Sequence, residues 1–178
     1  ILIQELVGQR YSNRFYPTFS GVAQSINYYP VSYMKRDEGI VFVALGFGKT
    51  IVDGEKSLRF SPIYPDILPQ YYSTKSTIRN SQNQFYALKM DSKNKFLKDG
   101  ESSNLKSYPL EQSEKDGVLK WMGGVISNED NLLRDSLRYK GKRVITFNPI
   151  QKWKSFPLAD IVNKILSLGK SALGCDIE

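Results

Sequence analysis

The sequence predicts an α+β fold in which short, mostly antiparallel strands precede one long C-terminal helix. Two observations carry this prediction. Apolar runs at 20–26, 39–45 and 143–147 have the length and alternation of strands, and Gly, Pro and Asn residues lie between them. Residues 158–173 instead carry apolar side chains at the helical period. Strands that pair out of chain order and share a single long helical return are typical of α+β domains.

The first sixty residues predict four β-rich segments. Residues 1–7 are mainly apolar and predict a strand, and residues 10–19 predict a loop or hairpin connection. Residues 20–26 predict a second strand that ends before Pro30, and 39–45 is the strongest candidate for a buried strand. Residues 51–60 predict a further β-rich piece that turns at Asp53-Gly54, a dipeptide that favours hairpins.

The middle of the chain carries weaker signals. Three prolines predict irregular structure over 61–70, and residues 71–84 are polar without a regular period. Residues 85–90 and 95–97 predict a surface hairpin inside an exposed, irregular insertion at about 71–107. The long helix is expected to begin near Pro157, with Ser155 as a possible cap and Gly174 as its stop, before a last strand at 175–178.

Composition limits the classes of function. The 178 residues suit a single domain, and 25 Lys and Arg against 18 Asp and Glu give a formal net charge of +7. This charge fits either an anionic partner or a surface whose acidic neighbour lies elsewhere. The absence of His excludes a Ser-His-Asp triad, a His-bound zinc and a phosphohistidine within this chain. One cysteine, no signal peptide and no membrane-spanning run predict a cytoplasmic protein without a membrane partner.

Two short motifs suggest chemistry. The loop Gly46-Phe47-Gly48-Lys49-Thr50 follows the buried strand, and its last three residues match the end of a Walker A motif, although position 43 is Val where that motif has Gly. It is read either as a turn or as a phosphate cradle. Asp176 and Glu178 are two residues apart and on a strand would share one face, which suits Mg²⁺. Two acidic residues of this kind are also typical of a solvated surface.

A basic stretch lies between the insertion and the helix. Arg134, Arg138, Lys142 and Arg143 could contact phosphate or nucleic acid. The acidic residues Glu129, Asp130 and Asp135 are interspersed with them and favour a solvated surface over a nucleic-acid interface.

Three stretches together resemble the phosphoenolpyruvate synthase and pyruvate phosphate dikinase family. Residues 20–25 resemble the family's strand Ser/Thr-Gly-Val-x-Phe-Thr. Residues 37–54 resemble its next strand with the turn Gly-Leu-Gly-Glu-x-Val-Val-x-Gly. Residues 150–178 resemble the helix and the Asp-Ile-Glu strand that close its nucleotide site. The order and approximate spacing of the three stretches also agree with the family.

The resemblance implies an ATP-grasp domain that binds ATP and Mg²⁺ as part of a phosphotransferase. In that family the phosphate passes to a His on a separate domain and then to pyruvate. Glu178 would be a metal and nucleotide ligand, with Asp176 as its companion. The strand residues Gln4, Glu5, Leu6 and Val7 would line the adenine. Partners would be ATP and the remaining parts of a parent chain: the other ATP-grasp lobe, the phosphohistidine domain and the domain that binds pyruvate or phosphoenolpyruvate.

The chain departs from the family in two respects. Lys49 stands where the family usually has Glu, which reverses a charge near the expected ribose. The family's Gln-x-Arg motif and first lobe are not found between Ile1 and Glu178, so we expect a single ATP-grasp fragment that is inactive in isolation and binds ATP weakly. A non-catalytic nucleotide-binding or regulatory module of the same fold, or a basic nucleic-acid-binding domain, are the alternatives.

Overall fold

The computed structural model describes residues 3–90 and 104–178, and over these ranges the chain forms three antiparallel sheets. The first sheet contains, in order, β1 (Gln9–Tyr11), β2 (Arg14–Tyr16), β6 (Gln84–Lys89) and β7 (Leu105–Pro109). The second contains β3 (Phe19–Gln24), β4 (Ile40–Leu45) and β5 (Leu58–Phe60). The third contains β10 (Gly141–Ile145), β8 (Gly123–Ser127) and β9 (Leu133–Arg134).

Five α-helices connect or cover these strands in the described ranges. They are α1 (Lys49–Val52), α2 (Thr74–Asn80), α3 (Leu110–Lys115), α4 (Asn148–Gln151) and α5 (Leu158–Leu173). Single 3₁₀ turns occur at Arg36–Glu38, Pro69–Tyr71 and Leu119–Trp121. The predicted α+β class with a C-terminal helix is therefore confirmed. None of the helices in the described residues is long and apolar enough to cross a membrane.

The core is formed by apolar side chains from all three sheets and from the helices that cover them. β4 is buried along nearly its whole length, and Leu45, Phe60, Phe85 and Phe147 are fully enclosed. Tyr16 packs on Phe85 with ring centroids 4.7 Å apart. Burial of large apolar and aromatic side chains of this kind is the main driving force for folding.

The segment Ser81-Gln82 holds the three sheets together. Gln82 Oε1 accepts a hydrogen bond from the Leu45 amide (2.8 Å), and its Nε2 donates to the Leu45 carbonyl (3.0 Å) and the Gln84 carbonyl (2.8 Å). Ser81 Oγ accepts from the Ile145 amide (2.7 Å) and donates to the Ile145 carbonyl (2.9 Å). Both side chains are almost completely buried. The end of β4, the start of β6 and the end of β10 are thereby fixed at one point.

A buried ion pair ties the first sheet to the end of α3. Asp116 accepts hydrogen bonds from Arg14 Nη2 (2.8 Å) and from the Tyr16 hydroxyl (2.8 Å). Burial acts to raise the pKa of the Asp116 carboxyl, but the hydrogen bonds from Arg14 and Tyr16 outweigh it, and the pKa is lowered. Burial, together with the hydrogen bond to Asp116, raises the pKa of Tyr16, so the hydroxyl remains a donor. The carboxylate is thus held ionised beside β2.

The helix α5 begins and ends where the sequence predicts, but the expected cap by Ser155 is not found and part of its apolar stripe is exposed. It begins after Pro157, and Ser155 makes no capping bond; Gly174 ends it in a left-handed conformation with φ +67°. Leu158 and Leu166 are buried, whereas Ile165 and Leu168 are 59% and 60% exposed. Part of the apolar stripe therefore faces outward in the described structure.

Several predicted strands do not form in the described part of the chain. Residues 3–7 form no strand and are exposed, since an apolar run becomes a strand only where it pairs with a neighbour. Residues 175–178 likewise form no strand. Ile51 and Val52 lie in α1, where the Gly48 carbonyl accepts hydrogen bonds from both amides (2.9 and 3.1 Å), instead of in a hairpin.

The expected irregular insertion at about 71–107 is wrong over its described part. Residues 74–80 form α2, and β6 is a central strand between β2 and β7, with Phe85 and Ala87 fully buried. The predicted partner of β6 at 95–97 lies outside the described residues; β6 pairs instead with Leu105–Pro109. Several residues that contact the core here are polar, such as the buried Ser76 and Thr77. Hydropathy therefore does not identify this region as part of the core.

We predict that Gln82→Leu lowers the free energy of unfolding by about 2–4 kcal/mol, because the amide and carbonyl of Leu45 would stay buried without partners. Leu has similar volume, so the loss reports the polar contacts. Gln9→Leu, on an exposed edge strand, is the control and should change the value by less than about 0.5 kcal/mol. Urea denaturation measures both. Equal small effects would contradict the role given to Gln82.

We predict that Asp116→Asn destabilises the protein at pH 7 by about 2–4 kcal/mol, because Arg14 would lose its buried counter-charge. The folded pKa of Asp116 lies below its unfolded value, so the stabilisation is complete above about pH 4 and is lost as the pH falls through the folded pKa. The gap between wild type and variant should close in acid. Thermal unfolding from pH 7 to pH 2 checks this, with the exposed Asp66→Asn as control; a gap independent of pH would refute it.

Candidate nucleotide site

The loop after β4 is fixed to strands on both sides. The Gly46 carbonyl accepts a hydrogen bond from Ser20 Oγ (2.6 Å), and the Phe47 amide donates to the Tyr86 carbonyl (3.1 Å). Gly46 has φ +79°, and a Cβ there would lie 2.7 Å from the Tyr86 carbonyl oxygen. Only glycine fits a backbone approach this close at a positive φ. The position of the following residue pair, Gly48-Lys49, is therefore well defined.

Lys49 lies in a charged cluster at the start of α1. Its Nζ is 3.0 Å from Asp53 Oδ2 and 5.8 Å from the centroid of the Tyr86 ring. The Tyr86 hydroxyl donates to Glu55 Oε1 (2.6 Å), and this hydrogen bond raises the pKa of Tyr86. The Lys49 ammonium is thus partly compensated, and it is a hydrogen-bond donor only.

A pocket of about 520 Å³ opens beside this cluster. Its walls are mostly apolar, and Lys49 and Asp53 contribute its two charges. The lining residues are Leu6, Phe47, Gly48, Lys49, Val52, Asp53, Leu88 and Leu105. An apolar pocket with a few polar groups at one side is typical of a site for a small molecule, including a flat ring. The structure therefore brings together two of the predicted site residues, Leu6 and Lys49. Gln4, Glu5 and Val7 are exposed and do not line this pocket.

The acidic pair near the C-terminus is held against the end of β3. The Ser25 amide donates to the Ile177 carbonyl (2.9 Å), and Ser25 Oγ accepts from the Ile177 amide (2.9 Å) while donating to Asp176 Oδ1 (2.9 Å). Lys170 Nζ is 2.7 Å from Asp176 Oδ1. The ion pair with Lys170, and then the hydrogen bond from Ser25, lower the pKa of Asp176. Asp176 is thereby fixed and ionised.

Asp176 and Glu178 line one pocket of about 180 Å³, together with Gln24, Ile26, Tyr28 and Ile177. Glu178 forms no ion pair with a described side chain, whereas Asp176 is engaged by Lys170. Within the described ranges no group of three His, Cys, Asp or Glu residues could hold a metal. Mg²⁺ is commonly bound by one or two carboxylates plus waters and phosphate oxygens. Asp176 and Glu178 together offer two carboxylates, which is the number that such a partial site uses.

The two groups of predicted residues line separate pockets. None of Gln4, Glu5, Leu6 and Val7 contributes to the pocket of Asp176 and Glu178 in the described structure. Asp176 and Glu178 line the same pocket, as their spacing of two residues predicts. If residues 4–7 and the acidic pair bound one nucleotide, they would line one cleft, and the described residues show no such cleft. The lining residues Phe47, Val52, Leu88 and Leu105 are not predicted by the sequence. The alternation of side chains along β6 predicts which face of the sheet Leu88 occupies. It does not predict that this face lies beside the loop at 46–50.

Two of the four cations of the basic stretch, Arg134 and Arg143, are ion-paired with acids in the described structure. Arg143 forms a bidentate pair with Glu114 (2.8 and 2.7 Å), and this pairing lowers the pKa of Glu114. Arg134 pairs with Asp130. These contacts agree with a solvated, ion-paired surface.

Comparison with known proteins adds no relative to this picture. No protein-family model matches the chain, and no match is found among curated proteins or among solved structures.

Proposed function

We propose that this chain is the ATP-binding segment of a phosphoenolpyruvate synthase-like phosphotransferase, a kinase of ATP-grasp architecture. The reaction would be the ATP-dependent phosphorylation of pyruvate, through a phosphohistidine carried on another domain. The isolated chain would bind nucleotide weakly and would not transfer phosphate.

The proposal is supported chiefly by the proximity of the three stretches that resemble the family. Residues 20–25 and 39–45 lie almost entirely in β3 and β4, which pair antiparallel from Phe19↔Leu45 to Gln24↔Ile40. The third stretch ends in the segment that hydrogen-bonds to Ser25, although Ile177 is 152 residues away in the chain.

The pockets suggest a role for each residue. The apolar pocket beside Leu6 would take the adenine ring, and Lys49 would donate to a phosphate or a ribose hydroxyl at its charged side. Glu178 would supply a carboxylate to Mg²⁺, which in turn would bridge phosphate oxygens and offset their charge. In such an enzyme the protein acts mainly by positioning phosphates and stabilising charge.

Partners and location are part of the proposal. The exposed apolar residues of α5, among them Ile165 and Leu168, support packing against the other ATP-grasp lobe or the phosphohistidine and pyruvate-binding domains of a parent chain. The single cysteine, Cys175, supports a reducing, cytoplasmic setting.

A non-catalytic nucleotide-binding or regulatory module is the second candidate. It is favoured by the Lys49–Asp53 ion pair, which places a cation where the family usually has a carboxylate. Nucleic-acid binding is not proposed, because Arg134 and Arg143 are both paired with acids.

We predict that ATP–Mg²⁺ at millimolar concentration shifts the NMR signals of Leu6, Lys49 and Val52, and that Leu6→Asp weakens this binding about tenfold, or about 1.4 kcal/mol. A carboxylate in the apolar pocket would repel the triphosphate and disfavour the ring. Ile3→Asp is the matched control, since Ile3 is in the same segment, is 89% exposed and lies outside the pocket. Shifts confined to other regions, or equal effects of the two variants, would refute the adenine assignment.

We predict that Lys49→Glu weakens ATP binding between about threefold and tenfold if Lys49 faces a phosphate, because the variant places a second carboxylate beside that of Asp53. Lys49→Gln, which removes the charge without reversing it, should have a smaller effect. NMR titration of each variant measures the affinity, and phosphate transfer by the longer protein measures the consequence for catalysis. Complete indifference of binding and transfer to both changes would show that the loop only connects β4 to α1.

A further inference from the structure

A third surface pocket, of about 470 Å³, has a different chemistry from the two described above. Three cationic side chains reach it: Lys56 from the turn before β5, Arg59 from β5 and Arg79 from the last turn of α2. The amides Gln70 and Asn80 and the ring of Phe42 complete most of its lining. We call it the basic pocket.

The cations of the basic pocket differ in their pairing from Arg14, Arg134 and Arg143. Arg14, Arg134 and Arg143 each form an ion pair with an acid. Within the described residues, Lys56, Arg59 and Arg79 have no carboxylate oxygen within 4.0 Å. The acid that lines the pocket, Glu55, is engaged by the Tyr86 hydroxyl (2.6 Å) and by Gln84 Nε2 (3.4 Å). The pocket therefore carries a net positive charge, because Glu55 forms no ion pair with Lys56, Arg59 or Arg79.

A hydrogen-bond network fixes the walls of the basic pocket. Gln70 Oε1 accepts from the Arg59 amide (2.6 Å), and Gln70 Nε2 donates to the Ser57 carbonyl (3.1 Å). The Gln70 carbonyl accepts from Ser76 Oγ (2.6 Å) and from Asn80 Nδ2 (3.0 Å). Gln70 thus joins β5 to α2, and the backbone that carries Arg59 is held at a defined position relative to the backbone that carries Arg79.

We propose that the basic pocket binds the phosphate group of a small phosphorylated molecule, at a site distinct from the proposed nucleotide pocket. It shares no lining residue with the pocket of Leu6 and Lys49 or with that of Asp176 and Glu178. Two guanidinium groups and an ammonium suit a phosphate dianion, since the planar fork of Arg matches two phosphate oxygens. Phe42 adds an apolar wall for the carbon skeleton, so a phosphomonoester fits better than free phosphate.

The test uses the wild-type chain at low ionic strength, titrated with inorganic phosphate and with phenyl phosphate as a simple aromatic phosphomonoester. NMR shifts should map to Lys56, Arg59 and Arg79, and phenyl phosphate should bind at least about threefold more tightly. The double variant Arg59→Gln, Arg79→Gln should weaken both ligands at least about tenfold. The double variant Arg138→Gln, Lys140→Gln removes the same charge from exposed positions outside the pocket and should change affinity less than about twofold.

Three outcomes would overturn the inference. The first is the absence of saturable binding of either probe. The second is equal weakening by the two double variants, which would mean that only the general positive charge attracts phosphate. The third is binding of a single-stranded oligonucleotide through Arg59 and Arg79 that phenyl phosphate does not displace, which would indicate a nucleic-acid contact. Thermal unfolding of each variant verifies that it is folded.

Phosphate binding in the basic pocket and nucleotide binding beside Leu6 can be tested independently. Leu6→Asp should leave phenyl phosphate binding unchanged, because Leu6 does not line the basic pocket. If ATP fails to bind beside Leu6 while phenyl phosphate still binds through Arg59 and Arg79, the nucleotide proposal fails and the basic pocket stands. If phenyl phosphate is lost on Leu6→Asp but not on Arg59→Gln, Arg79→Gln, the basic pocket fails.

Discussion

The hydrogen bonds of Ser81 and Gln82 are the contacts on which the rest of the structure depends. Each sheet has three or four short strands, and side chains from all three sheets pack into one apolar core, so the sheets must be held in a fixed relation to one another. Gln82 satisfies both backbone groups of Leu45, and Ser81 satisfies both backbone groups of Ile145, in an interior that excludes water. Two strands can therefore end inside the core without leaving buried amide and carbonyl groups unbonded, which would cost free energy.

The positions of the candidate pockets follow from this junction. Helix α2 ends at Asn80, directly before Ser81, so the junction also sets where Arg79 projects. Leu45 is followed at once by Gly46, whose turn places Lys49 beside Tyr86. One junction therefore positions a wall of the basic pocket and a wall of the proposed nucleotide pocket. Changes at Gln82 are expected to disturb both, which is why the binding experiments use substitutions at the pocket surfaces.

The sequence is informative where the signal is local. It predicts β3, β4 and α5 because apolar alternation, the helical period and Gly174 each act within a few residues. The junction cannot be found in this way, because buried Ser81 and Gln82 are indistinguishable from surface residues in a polar stretch. Residues 3–7 and 175–178 have the pattern of strands but do not form strands in the described structure, because pairing is a property of the whole fold.

In the candidate site, too, local spacing can be predicted from the sequence, whereas contacts between distant segments cannot. A spacing of two residues is enough to expect Asp176 and Glu178 in one place, and both line one pocket although no strand forms there. Which pocket Leu6 joins depends on how the first segment crosses α1 and β6, and this is not encoded in residues 1–7 themselves. The basic pocket escapes a sequence-based prediction for a similar reason. Lys56 and Arg59 are close in the chain, but Arg79 lies on α2 and is held near them only by the network around Gln70.

The proposed nucleotide pocket and the basic pocket are close neighbours along the chain, and Tyr86 stands between their charged groups. Its hydroxyl is bonded to Glu55, which lines the basic pocket, while its ring lies 5.8 Å from the ammonium of Lys49, which lines the other. The Tyr86 hydroxyl donates to Glu55, and this hydrogen bond raises the pKa of Tyr86. A phosphate held by Arg59 would repel the Glu55 carboxylate and so act on one end of this contact. A nucleotide phosphate near Lys49 would compete with Asp53 at the other. The two charged ligands would therefore act on two different acids, Glu55 bonded to the Tyr86 hydroxyl and Asp53 paired with the ammonium that lies over the Tyr86 ring.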